Sequence, residues 1–152
     1  MTYPLHLAWT VTIICAAAGL VIALYMTFGY YRLEPFFNLL GRIIPGSCRL
    51  DESDCVTVLD HPAAHLLGLP NALYGSIYYA LIIISIATKS SILLWGCRWA
   101  SVLTLIMSAF LVYVLMVRMK KPCLLCFAGH IINAFLAVLL WNLPDFDVPV
   151  LG

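Results

Sequence analysis

The chain has 152 residues, 64% of them hydrophobic and 10% charged, with a mean hydropathy of +1.02. Ordinary soluble domains carry about 45–50% apolar and about 25% charged residues, so a water-soluble enzyme, a disordered chain and a nucleic-acid-binding domain are excluded. Eight Lys/Arg against seven Asp/Glu leave a net charge of +1, and no global field points to an acidic substrate or to nucleic acid. One small domain embedded in a lipid bilayer remains.

A helix needs about 20 residues, at about 1.5 Å each, to cross roughly 30 Å of hydrocarbon. Four stretches meet that demand, at about residues 7–29, 69–88, 98–117 and 122–142. The expected fold is therefore an all-α four-transmembrane-helix bundle, with residues 1–152 forming a single domain. The first run, Leu7 to Gly29, carries no charge. The second lies between Asp60 and Lys89, with Asn71 to Ala87 its strongest part, and the third lies between Arg98 and Arg118. The fourth runs uncharged from Pro122 to Pro144. Trp9, Tyr30, Tyr31, Trp95, Trp99 and Trp141 fall near the ends of these runs, as interfacial aromatics do. A cleaved signal peptide would need a basic segment ahead of the first run, and no Lys or Arg precedes Arg32. Short second and third connections imply an up-down-up-down bundle with both termini on one side.

The first connection, residues 32–68, is long and holds most of the acidic residues: Glu34, Asp51, Glu52, Asp54 and Asp60. Loops of this length in compact proteins usually serve as lids or binding loops. Within it Leu33, Phe36, Phe37, Leu40, Ile43 and Ile44 recur at helical spacing; Pro35 suits an early helical position and Pro45-Gly46 a stop. A short amphipathic helix is predicted, either lying in the membrane interface or packing its stripe on the bundle.

Six cysteines punctuate the chain. Cys15 and Cys97 sit in or beside apolar runs, where a lone cysteine serves as a small hydrophobe. Cys48 and Cys55 fall in the polar loop, and Cys123 and Cys126 form Pro-Cys-Leu-Leu-Cys at the mouth of the last helix. The topology brings both pairs to one end of the bundle, an arrangement suited to thiol–disulfide exchange. A thiolate is favoured at a helix N-terminus, in a Cys-x-x-Cys motif and near cations. Lys120 and Lys121 immediately precede the pair; they either tune the sulfurs or anchor to lipid head groups. Two structural alternatives compete. The four cysteines could bind zinc, with His61 or His65, although the Cys48–Cys55 spacing is wide for a zinc knuckle. They could also form static disulfide staples. A small four-helix transporter is a third possibility, but proton-coupled carriers usually place a carboxylate within a span, and none of these spans has one.

The sequence resembles the vitamin K epoxide reductase (VKOR) family of membrane thiol oxidoreductases. The resemblance rests on Cys48 and Cys55, on the run Asn71-Ala72-Leu73-Tyr74-Gly75-Ser76-Ile77-Tyr78-Tyr79, on Arg98-Trp99-Ala100-Ser101-Val102-Leu103, and on Cys123-Leu124-Leu125-Cys126. It implies that electrons enter from a thioredoxin-like (DsbA-like) redox protein at Cys48, pass through Cys55 to Cys123 and reach Cys126, which faces a membrane-soluble quinone. The acceptor would be vitamin K quinone or its epoxide, menaquinone or ubiquinone, with no metal, and the outcome would be disulfide bond formation. Asn71 matches a position that hydrogen-bonds a quinone carbonyl. His130 falls where animal enzymes have a tyrosine near the second carbonyl; one helical turn separates it from Cys126, so both can face one pocket. A core histidine satisfied by a neighbouring helix is the plainer alternative for His130. Where the family often carries a small hydroxyl residue after the second loop cysteine, this chain has Asp60 and His61. The chain runs to Gly152 with no fused thioredoxin domain, so the partner is expected to be a separate protein.

The cysteine end holds Arg32, Arg42, Arg49, Arg118, Lys120 and Lys121, whereas the other end holds Lys89 and Arg98. Counting positive charges puts the cysteines in the cytosol. The family usually faces the periplasm, cell exterior or endoplasmic-reticulum lumen, where disulfides persist. A multi-pass membrane protein in the family's usual orientation is the expectation, with the inverted topology beside it.

Overall fold

A computed structural model describes residues 5–43, 58–120 and 123–146. Helix α1 (Leu5–Tyr30) is followed by the short α2 (Glu34–Gly41). A 3-10 turn (Pro62–Ala64) and a hairpin of two antiparallel strands, β1 (His65–Leu66) and β2 (Leu69–Pro70), lead into α3 (Asn71–Ala87). Helix α4 (Ser91–Tyr113) continues as a π-helical stretch (Val114–Met119), and α5 (Leu124–Asn142) is the last helix. Helices α1, α4 with its extension and α5 are long and apolar enough to cross a membrane; α3, with 17 residues, is a shorter apolar helix. At about 1.5 Å per residue α3 covers about 25 Å.

The boundaries differ from the expected ones where charge was taken as a border. The third helix begins at Ser91 and not near Arg98. Ser90 caps it by accepting from the Leu93 N–H, and Lys89 turns the chain at φ 51°. The first connection, expected over 32–68 as loop around one short helix, runs on to Pro70, so α3 begins at Asn71 and not at 69, and it also contains the hairpin. Leu67 and Gly68 form its two-residue turn, both at positive φ, a conformation that Gly68 adopts without strain. Strands two residues long leave no alternation for a sequence pattern to display.

Helix α2 starts with Pro35 in its first turn, as expected. Phe37 stacks on Tyr25 with centroids 4.6 Å apart, and Leu40 packs against the same cluster, while Phe36, Leu39 and Ile43 stay exposed. Its stripe thus both packs on the bundle and leaves an apolar outer side. Ile44 and the Pro45-Gly46 stop lie outside the described residues.

Two core clusters organise the bundle. At one end Tyr25, Met26, Val58, Leu59, Leu115, Cys123 and Leu125 pack together. Farther along, Ala16, Tyr79, Ile82, Leu94, Leu136 and Leu140 form the second. Trp9 near the start of α1 stacks on Phe146 beyond α5, at 4.6 Å, so the two ends of the described bundle meet opposite the Cys123 end. Trp95, Trp99 and Trp141 pack edge to face there and remain about half exposed, as aromatics at a lipid–water boundary do.

Hydroxyl groups within the helices satisfy themselves locally. Thr12 donates to Ala8 O, Thr27 to Ala23 O and Ser76 to Ala72 O, which keeps unmatched donors out of the apolar surroundings. Arg98 does more. Its guanidinium donates to Leu140 O (2.9 Å) and Leu143 O (2.5 Å) and pairs with Asp145 (2.7 Å). Read in the sequence as a flanking surface charge, Arg98 instead closes the C-terminus of α5, where the last carbonyls lack helical partners. As a count of free cations, that end is weaker than the sequence suggests.

Because charged donors to carbonyls each contribute about 1.5–3 kcal/mol, Arg98→Gln should lower stability by about 2–4 kcal/mol in denaturant titrations of detergent-solubilised protein. Asp145 is mostly exposed, so Asp145→Asn should cost less than about 1 kcal/mol. Equal losses from the two would show that the ion pair, and not the carbonyl cap, holds the helix end.

Candidate active site

Cys123 is the N-cap of α5, with extended backbone, and its Sγ accepts from the Cys126 N–H at 3.3 Å. Leu124 is therefore the first helical residue, two residues later than the expected start of the span at about 122. Pro122 and Lys121 lie outside the described residues. Cys123 and Cys126 form a disulfide, their Cα atoms 5.3 Å apart. The Cys126 N–H directed at the Cys123 sulfur and the helix N-terminus around it favour a thiolate once the bond is reduced. Lys120 is exposed, in the left-handed conformation that closes the π-helical stretch. Cys48 and Cys55 lie outside the described residues, and Cys15 and Cys97 are free thiols.

Cys123 is fully buried, whereas Cys126 lines a cavity of about 400 Å³ bounded by all four long helices and the hairpin segment. Ligand sites fall in the range of roughly 300–1,000 Å³. Its walls are largely apolar: Ile22 and Met26 from α1, Leu59, Leu103, Met107 and Leu111, and Leu125. Asn71 and His130 line the same cavity, so the structure brings three of the expected site residues together. Asn71 opens α3 and donates from Nδ2 to Ala63 O at 3.0 Å, which fixes the amide; a primary amide has a second N–H to offer. The Nδ1 of His130 is buried with no hydrogen-bond partner. A core histidine satisfied by a neighbouring helix does not describe that atom.

The departure at Asp60 and His61 also has a structural account. His61 Nδ1 accepts from the Ala63 N–H at 3.1 Å and caps the 3-10 turn, the task a small hydroxyl side chain commonly performs. Asp60 is exposed. His65 Nδ1–H donates to His61 O. Both histidines thus direct a nitrogen to backbone, and among the described residues no group of three His, Cys, Asp or Glu is placed to hold a metal.

Sequence reasoning missed the cavity's far wall. Tyr79 donates to Asn133 Oδ1 at 2.7 Å, and Asn133 Nδ2 donates to Ser108 Oγ at 2.9 Å. The Tyr79 ring lies against Gly19, where any Cβ would sit 2.6 Å from it. This chain of contacts links α1, α3, α5 and α4, and each of its members lines the cavity. One signal was available: Asn133 follows His130 and Cys126 at helical spacing in an otherwise apolar span, where a polar side chain needs a partner.

Residues 10–141 match the vitamin K epoxide reductase family. The chain belongs to that family. No individual curated protein matches it, and no solved structure does. VKOR-family enzymes are quinone-dependent thiol oxidoreductases, so this protein is an integral membrane enzyme of that class, with a quinone as substrate, and it carries the Cys123–Cys126 pair. The helical bundle agrees with the family's four-helix membrane fold.

In this VKOR-family chain Tyr79→Phe should leave the Asn133 carbonyl without its donor and lower stability by about 1–3 kcal/mol. Gly19→Ala should cost a similar amount, about 1–3 kcal/mol, by overpacking a ring that its hydrogen bond holds in place. Unfolding titrations in detergent measure both. Neutral effects would mean that the four helices are not joined through this contact.

Proposed function

We propose that the protein oxidises the thiols of a thioredoxin-like partner and passes the electrons to a quinone, supporting disulfide bond formation. The partner dithiol would exchange with Cys48, the electrons would pass through Cys55 to Cys123, and Cys126 would deliver them to a quinone held by Asn71 and His130. The observation that carries this is the single cavity shared by Cys126, Asn71 and His130 beside the Cys123–Cys126 disulfide. Apolar walls suit an oily acceptor, and the two polar side chains suit its carbonyls.

The relay has further support. Val58, three residues after Cys55 in sequence, packs in the same cluster as Cys123. Three residues span about 10 Å at most, so exchange between Cys55 and Cys123 asks for no long reach. Cys123 is fully buried, so exchange requires the side chains packed around it to shift. We read residues 1–152 as one VKOR-like domain, with its cysteine end on the periplasmic or exterior side in the family's usual orientation.

Each turnover conserves electrons and protons. The partner dithiol closes to a disulfide as the Cys123–Cys126 disulfide opens. The reduced pair then closes again and the quinone becomes a hydroquinone, gaining two electrons and two protons. Cys126→Ala should abolish quinone reduction with either a protein dithiol or dithiothreitol as donor. Cys48→Ala should lose turnover with the protein dithiol yet retain it with dithiothreitol. Quinone absorbance follows both, and wild-type turnover in Cys126→Ala would refute the proposed path.

A further inference from the structure

We propose that His130 moves a proton between the Cys126 thiol and the quinone oxygen, a role that rests on the quinone-reducing reading above and adds to it. Quinone reduction needs protons as well as electrons, in a cavity whose described lining contains no Asp, Glu, Lys or Arg. Most of its polar hydrogens are already committed. Tyr74 donates to Leu66 O, Tyr79 to Asn133 Oδ1, Thr104 to Ser101 O and Asn133 to Ser108 Oγ.

The ionisable groups that face the cavity are Cys126 and His130 from α5 and Tyr74, Tyr78 and Tyr79 from α3. Helix α1 and the segment from Val58 to Leu66 contribute none to the lining, and α4 contributes only the alcohols Thr104 and Ser108 among its polar groups. Phenols ionise near pH 10, too far from neutrality to exchange a proton in turnover. An imidazole ring nitrogen accepts a proton and releases it again more readily than a phenol does. His130 sits one helical turn from Cys126, on the same side of α5, and its buried Nδ1 has no partner within the protein.

In the step proposed, imidazole takes the proton of the Cys126 thiol and returns it to the quinone oxygen as electron density arrives there. Closure of Cys123 onto Cys126 forms the S–S bond and releases the second thiol proton, which goes to the second oxygen. Two S–H bonds break, one S–S bond and two O–H bonds form, and the quinone gains the two electrons that the dithiol loses.

The test is a single turnover. Wild-type protein, His130→Gln and His130→Asn are reduced at the Cys123–Cys126 pair and mixed anaerobically with a short-chain benzoquinone or naphthoquinone from pH 3 to pH 9. The wild-type rate should fall as pH drops, along a one-proton limb, because protonated imidazole cannot accept from the thiol. His130→Gln, compared at saturating quinone, should lose that limb and react about 10²–10⁴-fold more slowly. His130→Asn, whose shorter amide keeps a hydrogen-bond donor but no titratable nitrogen, should show the same loss if the Gln variant fails to hold quinone. A variant that reacts within threefold of wild type with the limb unchanged would overturn the role, as would a wild-type rate with no acid limb. Failure of the wild type to bind or reduce either quinone would sink the quinone-reducing reading itself.

Discussion

Hydrocarbon offers no hydrogen-bond partner, so every polar group carried into the bundle has to find one inside it. That constraint arranges this structure. Threonines and serines bond back onto their own helices, Arg98 closes the end of α5, and Tyr79, Asn133 and Ser108 satisfy one another across three helices. Gly19 completes the set by admitting the Tyr79 ring against α1. On the far side of the cavity the polar atoms of Tyr79, Asn133 and Ser108 are therefore held by one another.

At the cysteine end the same constraint is left open. His130 Nδ1 has no partner within the protein, and it lines one space with Cys126 and Asn71. A site that is largely apolar and supplied with a few convergent polar groups suits a ligand that is itself oily with polar tips. The helix N-terminus supplies the other half of the chemistry, since its free N–H groups favour the thiolate at the moment the disulfide opens.

The helical bundle and the redox pair were legible in the sequence because both depend on local pattern: uncharged runs of spanning length, and two cysteines three apart after a proline. Asn71 and His130 entered through resemblance, and the structure brings them to the cavity of Cys126. The hairpin was not legible, since strands of two residues carry no period. Nor was the role of Arg98, because a cation beside an apolar run reads as a border until its partners, distant in sequence, are seen. Tyr79, Asn133 and Ser108 were missed for the same reason: their meaning lies in contacts between helices, and an aromatic or small polar residue within a span does not name its partner. Cys48 and Cys55 lie outside the described residues, so their part remains a proposal.

The central claim is that an oily electron acceptor occupies the cavity between Cys126, Asn71 and His130. A photoreactive azidoquinone, crosslinked to the protein in vesicles and mapped by peptide mass spectrometry, tests it most directly. Label on the segments from Asn71 to Tyr79 and from Cys126 to Asn133, displaced by excess unmodified quinone, is the result predicted. Label confined to the exposed aromatics Trp95, Trp99 and Trp141 at the opposite end would contradict it.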